Sequence, residues 1–176
     1  MPRFLEVRRH SARAKPGPHL SREGVALARK LGEGLGPFAL VVTSSKPRAV
    51  ETAVAMGFAV DREIEELSEL GRGVEEEVDW DAGFAAFAKV LPSQGATAQF
   101  AARLAGLWAR LVEEVPEGGT VLVVTHGGIV EAGALGCLPA SPIAERGSCC
   151  GFCEGVRLSW EHGRWTAATF LEVPRP

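Results

Sequence analysis

A three-layer α/β/α sandwich around a mostly parallel sheet is the fold class this sequence predicts. Apolar extended runs alternate with stretches of helical spacing, the order that builds parallel sheets from crossover units. Two of those runs, Ala39–Thr43 and Thr120–Thr125, are short and continuously apolar, as strands covered on both faces are. No internal repeat and no linker interrupts the alternation, so residues 1–176 read as one domain.

The first strand lies in Phe4-Leu5-Glu6-Val7-Arg8-Arg9-His10-Ser11 and stops in two cations and an imidazole. Ser11 to His19 is a loop by its Pro and Gly content. A helix starts at Leu20-Ser21-Arg22-Glu23-Gly24, with Ser21 as cap and Glu23 in the first turn. Leu27, Leu31 and Leu35 place one face of it on a core, and Gly34 and Gly36 end it. After the second strand, Ser44-Ser45-Lys46-Pro47 turns into a helix over Arg48–Met56, so Arg48 sits in a first turn, where amides already favour anions. Phe58–Val60 is expected as a further strand, and the acidic run Asp61–Glu69 as solvated surface. Trp80–Leu91 and Gln99–Val115 are expected helices; Phe100, Leu104, Leu107, Trp108 and Leu111 form the core stripe of the second. Thr120–Thr125 stops at His126-Gly127-Gly128, Ile129–Leu135 restarts a helix, and Val156–Trp160 with Arg164–Leu171 forms a hairpin.

Composition excludes several classes of function. Hydrophobic residues make up 46% and charged residues 23%, the profile of a soluble globule. A formal charge of -3 argues against general affinity for nucleic acid or anionic membrane. No apolar run reaches the length of about 18 residues that a spanning helix needs. Glu6 and the arginines around it do not make a secretory leader, and adjacent Cys149 and Cys150 make a poor disulfide framework, so a reduced, cytoplasmic chain is expected. Cys149, Cys150 and Cys153 lack a matching second pair, and His162 is badly spaced to complete a zinc site. His19 and His162 fall in a loop and a turn and are expected to be exposed.

A parallel sheet puts all its strand carboxyl ends on one edge, and ligand sites form there. Arg9, His10, Arg48 and His126 therefore should converge. Two guanidiniums hold phosphate oxygens bidentately at any working pH. One neutral imidazole can attack phosphorus, and the other can stabilise charge on the transferring group. Expelling an alcohol then needs a carboxylic acid nearby. Charge neutralisation is built in, so neither metal nor cofactor is called for.

These stretches resemble the signatures of the histidine phosphatase superfamily, the phosphoglycerate mutase-like proteins. Arg9-His10-Ser11 resembles its Arg-His-Gly signature, and Leu20-Ser21-Arg22-Glu23-Gly24 its Leu-Thr-x-x-Gly helix start. Ser44 to Ala53 is similar to Ser-x-x-x-Arg-Ala-x-x-Thr-Ala, and Val123 to Gly128 to the second-histidine motif. The four occur in order between about residues 4 and 135. The resemblance implies His10 as the phosphorylated nucleophile, with Arg9, Arg48 and His126 as phosphate pocket. It implies a proton donor in Leu67-Ser68-Glu69-Leu70-Gly71, namely Glu69, in a segment that also holds Glu63, Glu65, Glu66, Glu75, Glu76 and Glu77. Ser11 departs from the signature Gly; its hydroxyl either donates to phosphate or weakens the site. Pro16 stands where many members carry Asn, with Arg13 as a substitute contact.

The implied function is a metal-independent phosphomonoesterase acting on a small phosphorylated substrate or a phosphohistidine protein. A mutase and a non-catalytic phospho-ligand binder are the alternatives; mutases of the superfamily are generally longer. Specificity is expected from Ala12–His19 and Arg72–Gln94.

Overall fold

The computed structural model describes residues 1–174. In chain order the elements are β1 (Arg3–Arg9), α1 (Arg22–Gly32), β2 (Leu40–Thr43), α2 (Pro47–Ala55), β3 (Arg62–Glu63), α3 (Val74–Glu77), α4 (Phe84–Val90), α5 (Ala96–Glu113), β4 (Thr120–Thr125), α6 (Ile129–Cys137), β5 (Gly155–Glu161) and β6 (Arg164–Leu171). They form one sheet of six strands in the order β3-β2-β4-β1-β5-β6. The pairs β3·β2, β2·β4 and β4·β1 are parallel, while β5 runs antiparallel to both β1 and β6.

The layers follow from which residues alternate to which face. Val41, Leu122 and Val124 pack on Ala49 and Ala53 of α2. Leu5, Val7, Val42, Val121 and Val123 pack on the other side, against α4, α5 and α6. The helix pairs α1·α2 and α5·α6 are in contact, one pair to each layer. On α5, Phe100, Leu104, Trp108 and Leu111 are buried as the stripe requires, and Leu107 packs at its margin.

Ser21 caps α1 by accepting from Gly24 N at 3.0 Å. Gly24 owes its place to a close approach: a Cβ there would fall on the carbonyl oxygen of Ala12. This lets α1 lie directly against the loop that leaves β1. Phe58–Val60 is not a strand. Phe58 and Val60 instead pack as partly buried anchors beneath the sheet, and the pairing is taken up by two exposed residues, Arg62 and Glu63. The helix expected from Trp80 begins only at Phe84, because Gly83 at φ 89° breaks the approach and Trp80 stands in a turn. α5 starts three residues ahead of Gln99, where Glu77 accepts from Ala96 N and Thr97 N and so satisfies its first amides. Among the described residues, no helix is long and apolar enough to cross a membrane.

Candidate active site

Strand order brings the two histidines together. β4 lies between β2 and β1, and Arg9 is in register with Thr125. His10 N donates to Thr125 O at 2.8 Å, and Ser44 N donates to Val124 O at 3.0 Å. The chain therefore leaves three adjacent strands at one level, which puts the His10 and His126 rings 5.1 Å apart. Arg48, from the first turn of α2, reaches the same place.

Both imidazoles are buried, and a hydrogen bond to a carbonyl fixes the tautomer of His10. His10 Nδ1 lies 2.7 Å from Ser11 O. A carbonyl only accepts, so Nδ1 carries the proton and Nε2 keeps its lone pair. Arg48 Nε donates to that Nε2 at 3.2 Å. Burial, with Arg48, Arg9 and Arg13 nearby, pushes the His10 pKa down to about 4. His126 is pushed down to about 3, mainly by burial and then by His10 and Arg48. Both rings are neutral at neutral pH. His126 Nε2 shares a 2.7 Å hydrogen bond with Ser44 Oγ.

Two buried nitrogens of this cluster, Arg9 Nε and His126 Nδ1, have no partner within the protein. Orphaned polar groups are costly in a folded interior, and a ligand is a standard reason for them. Arg9 Nη1 donates to Cys150 O at 2.8 Å, so the guanidinium is held but only part of its donor set is used.

The cluster forms the floor of a cleft of about 360 Å³. Arg13 and Lys15 from the loop after β1 stand on its rim, as do Glu69 and Glu75. Glu69 has 75% of its side chain exposed and pairs with Lys46 Nζ at 2.9 Å. That cation holds its carboxyl below the usual range. The structure thus brings Arg9, His10, Arg48 and His126 into one cluster and leaves Glu69 at the mouth beside a second carboxylate.

Ser11 does not face a ligand. Its hydroxyl donates to Gly24 O at 2.7 Å, and its N–H donates to Thr52 Oγ1 at 2.9 Å. The serine hydroxyl therefore ties β1 to α1 and is not a phosphate donor. Arg13 Nη1 bonds Gly17 O at 3.1 Å, closing its own loop while the residue lines the cleft. His19 is exposed and pairs with Glu51. Burial pushes the thiols of Cys137, Cys149, Cys150 and Cys153 up, away from nucleophilic use.

Sequence reasoning brought the segment Arg72–Gln94 to the substrate but missed the aromatic wall of the cleft. Trp80 and Phe152 both line it, with ring centroids 5.1 and 4.6 Å from the Arg9 guanidinium carbon. Trp80 lies over Gly127, where a Cβ would come within 2.7 Å of the indole. The glycines after His126 are thus explained partly by the indole they admit. Glu131 was also missed. It is fully buried in α6, accepts from Gly128 N at 2.6 Å and from Cys150 N at 2.8 Å, and joins the two loops bearing His126 and Phe152. A lone acid in an otherwise apolar helix, Ile129-Val130-Glu131-Ala132, was the signal for it.

The family model of the histidine phosphatase superfamily (branch 1) matches residues 6–172. The chain belongs to this superfamily. Among solved structures, a mycobacterial hydrolase is 25% identical with a TM-score of 0.72, covering 99% of this chain and 100% of that one. A mycobacterial glucosyl-3-phosphoglycerate phosphatase in complex with VO3 is 26% identical with a TM-score of 0.65, covering 97% and 98%. A phosphoserine phosphatase from Entamoeba histolytica, 20% identical with a TM-score of 0.72 and 97% coverage of both chains, shares the fold. No curated protein sequence matches the chain.

Proposed function

We propose that this phosphatase hydrolyses phosphomonoesters through a phosphohistidine on His10, without a metal. The observation that carries the reading is the state of His10: proton fixed on Nδ1 by Ser11 O, lone pair on Nε2, and Arg48 beside it. A buried, neutral imidazole under two fixed cations is a nucleophile already placed against an anion's binding site.

In the first step His10 Nε2 forms a bond to phosphorus as the ester P–O bond breaks. Arg9 and Arg48 hold the equatorial oxygens, and Arg9 Nε and, in its Nδ1-protonated tautomer, His126 donate to the charge that builds there. The departing alkoxide takes a proton from Glu69. Glu69 is ionised in the open cleft; a phosphoryl dianion arriving beside it raises its proton affinity by like-charge repulsion, so the carboxylate takes up a proton from solvent as substrate binds and has it to give. In the second step the Glu69 carboxylate takes a proton from water, the oxygen attacks phosphorus, and the P–N bond breaks to release phosphate.

The reading takes a small phosphorylated molecule as substrate, and the names of similar structures support it: glucosyl-3-phosphoglycerate phosphatase, and phosphoserine phosphatase in complexes with phosphoserine and 3-phosphoglyceric acid. Rapid quench in alkaline detergent during turnover should trap a phosphoryl group on His10 that is stable in base and lost on acidification. His10→Ala should trap none and release no phosphate. Activity should also survive exhaustive chelation, because Arg9 and Arg48 supply the positive charge; loss with EDTA and recovery with magnesium or zinc would refute the metal-independent reading.

A further inference from the structure

Four large apolar residues are exposed among those described: Met1, Val54, Trp80 and Phe152. Two of the four, Trp80 at 38% and Phe152 at 39% exposure, stand in the same cleft beside the same guanidinium. Isolated apolar residues on a surface need no explanation, but paired aromatic rings in a reaction cleft do. Orienting Arg9 does not account for them, since Cys150 O and the end of β1 already hold it.

Both rings are held in place before any ligand arrives. Trp80 rests over the bare backbone of Gly127 and Gly128, and its segment packs on the 147–148 backbone at Gly83. Phe152 is carried by a loop whose backbone is tied down on either side of it. Cys150 N donates to Glu131, Gly151 N to Glu154 Oε2 at 2.7 Å, and Cys153 N to Arg9 O at 3.0 Å. Arg8 Nη1 donates to Cys153 O at 2.9 Å. An aromatic face fixed in this way binds with little ordering cost. The Phe152 centroid is 6.0 Å from the His10 ring, within reach of a group carried on phosphorus, and Leu70 and Ile129 extend the apolar lining.

We propose that Trp80 and Phe152 form a leaving-group subsite that selects phosphomonoesters of alcohols with a flat, apolar face, such as an aryl-alkyl alcohol. The inference rests on the phosphoryl-transfer reading for its substrate, but not for its geometry. Stacking contributes beyond buried area in such sites.

The test compares 2-phenylethyl phosphate with ethyl phosphate, two alkyl esters of similar leaving-group basicity that differ in the flat face. The wild-type protein should favour the phenylethyl ester in kcat/KM by about tenfold or more. Phe152→Ala and Trp80→Ala should each bring that ratio towards one, and Phe152→Leu should keep part of it. Any general loss through Arg9 cancels, because both esters carry the same phosphoryl group. The same ratio is read from the binding of 2-phenylethylphosphonate and ethylphosphonate by calorimetry. A preference in binding with no turnover of either ester would overturn the hydrolase reading and leave the subsite standing. Equal binding of the two phosphonates by wild type, or a preference unchanged in both alanine variants, would overturn the subsite.

Discussion

In the proposed reaction His10 and Glu69 do opposite things with their protons, and their surroundings differ accordingly. His10 is buried and kept neutral, the state that the proposed nucleophile requires. Glu69 is open to solvent and kept ionised by Lys46 until an anion arrives. A general acid matters only where the leaving oxygen needs a proton, and such catalysis contributes about 10²–10⁴-fold. Glu69→Gln should therefore slow hydrolysis of an alkyl phosphate severely and of nitrophenyl phosphate much less, since nitrophenolate leaves without help. Equal rates for wild type and Glu69→Gln on the alkyl ester would pass the role to Glu75, the other carboxylate on the cleft. The positions of Arg9, His10, Arg48 and His126 were legible in sequence because each ends a strand or follows one closely, and strand ends of a parallel sheet share an edge. Ser11 was not: whether a hydroxyl faces ligand or helix depends on the approach of Gly24, which spacing does not reveal.

At the scale of elements, the half of the cleft built by regular strands was legible residue by residue, and the loop half only as the segments Ala12–His19 and Arg72–Gln94, without the aromatic wall. Trp80 carries the apolar weight of a helix residue, and only its turn, ahead of Gly83, sets it in the cleft. The 147–153 loop precedes a hairpin far along the chain, and nothing local marks it as a neighbour of β1. Glu131 is the link that makes these loops one wall. Fully buried, with both carboxylate oxygens accepting from backbone amides, it holds loops and does not face substrate. Glu131→Gln keeps one acceptor and turns an NH2 group against the other amide. Leaving a buried donor unsatisfied costs about 1–3 kcal/mol. At about 2–4 °C per kcal/mol for a chain of this size, calorimetry should show Tm lowered by several degrees. Because Arg9 and Phe152 depend on that loop, kcat/KM should fall for alkyl and nitrophenyl phosphates alike, unlike the split expected for Glu69→Gln. An unchanged Tm would mean that the two amides find other partners.

For the whole molecule, the site is a stability liability that depends on pH. His10 and His126 have native pKa values of about 4 and about 3, against an ordinary value of 6.5. The unfolded chain thus binds more protons than the native one below pH 6.5, and unfolding free energy falls with falling pH there. Above pH 6.5 both rings are neutral in either state and contribute no slope. Burial raises the carboxyl of Glu131, so this group acts with the opposite sign: its ionised form burdens the native state, and acidification relieves it. Two groups against one leave a net loss from these three on the acid side, from about pH 6.5 down towards 4 and then 3. Urea unfolding between pH 7.5 and 4 should show it as a falling midpoint at constant slope. Replacing His126 by Gln removes one of the two titrations and should flatten the profile over that window, whatever it does at neutral pH. If the His126→Gln profile runs parallel to that of wild type, His126 is not being held neutral by its burial, and the assignment of both imidazoles as uncharged partners in the cleft loses its basis.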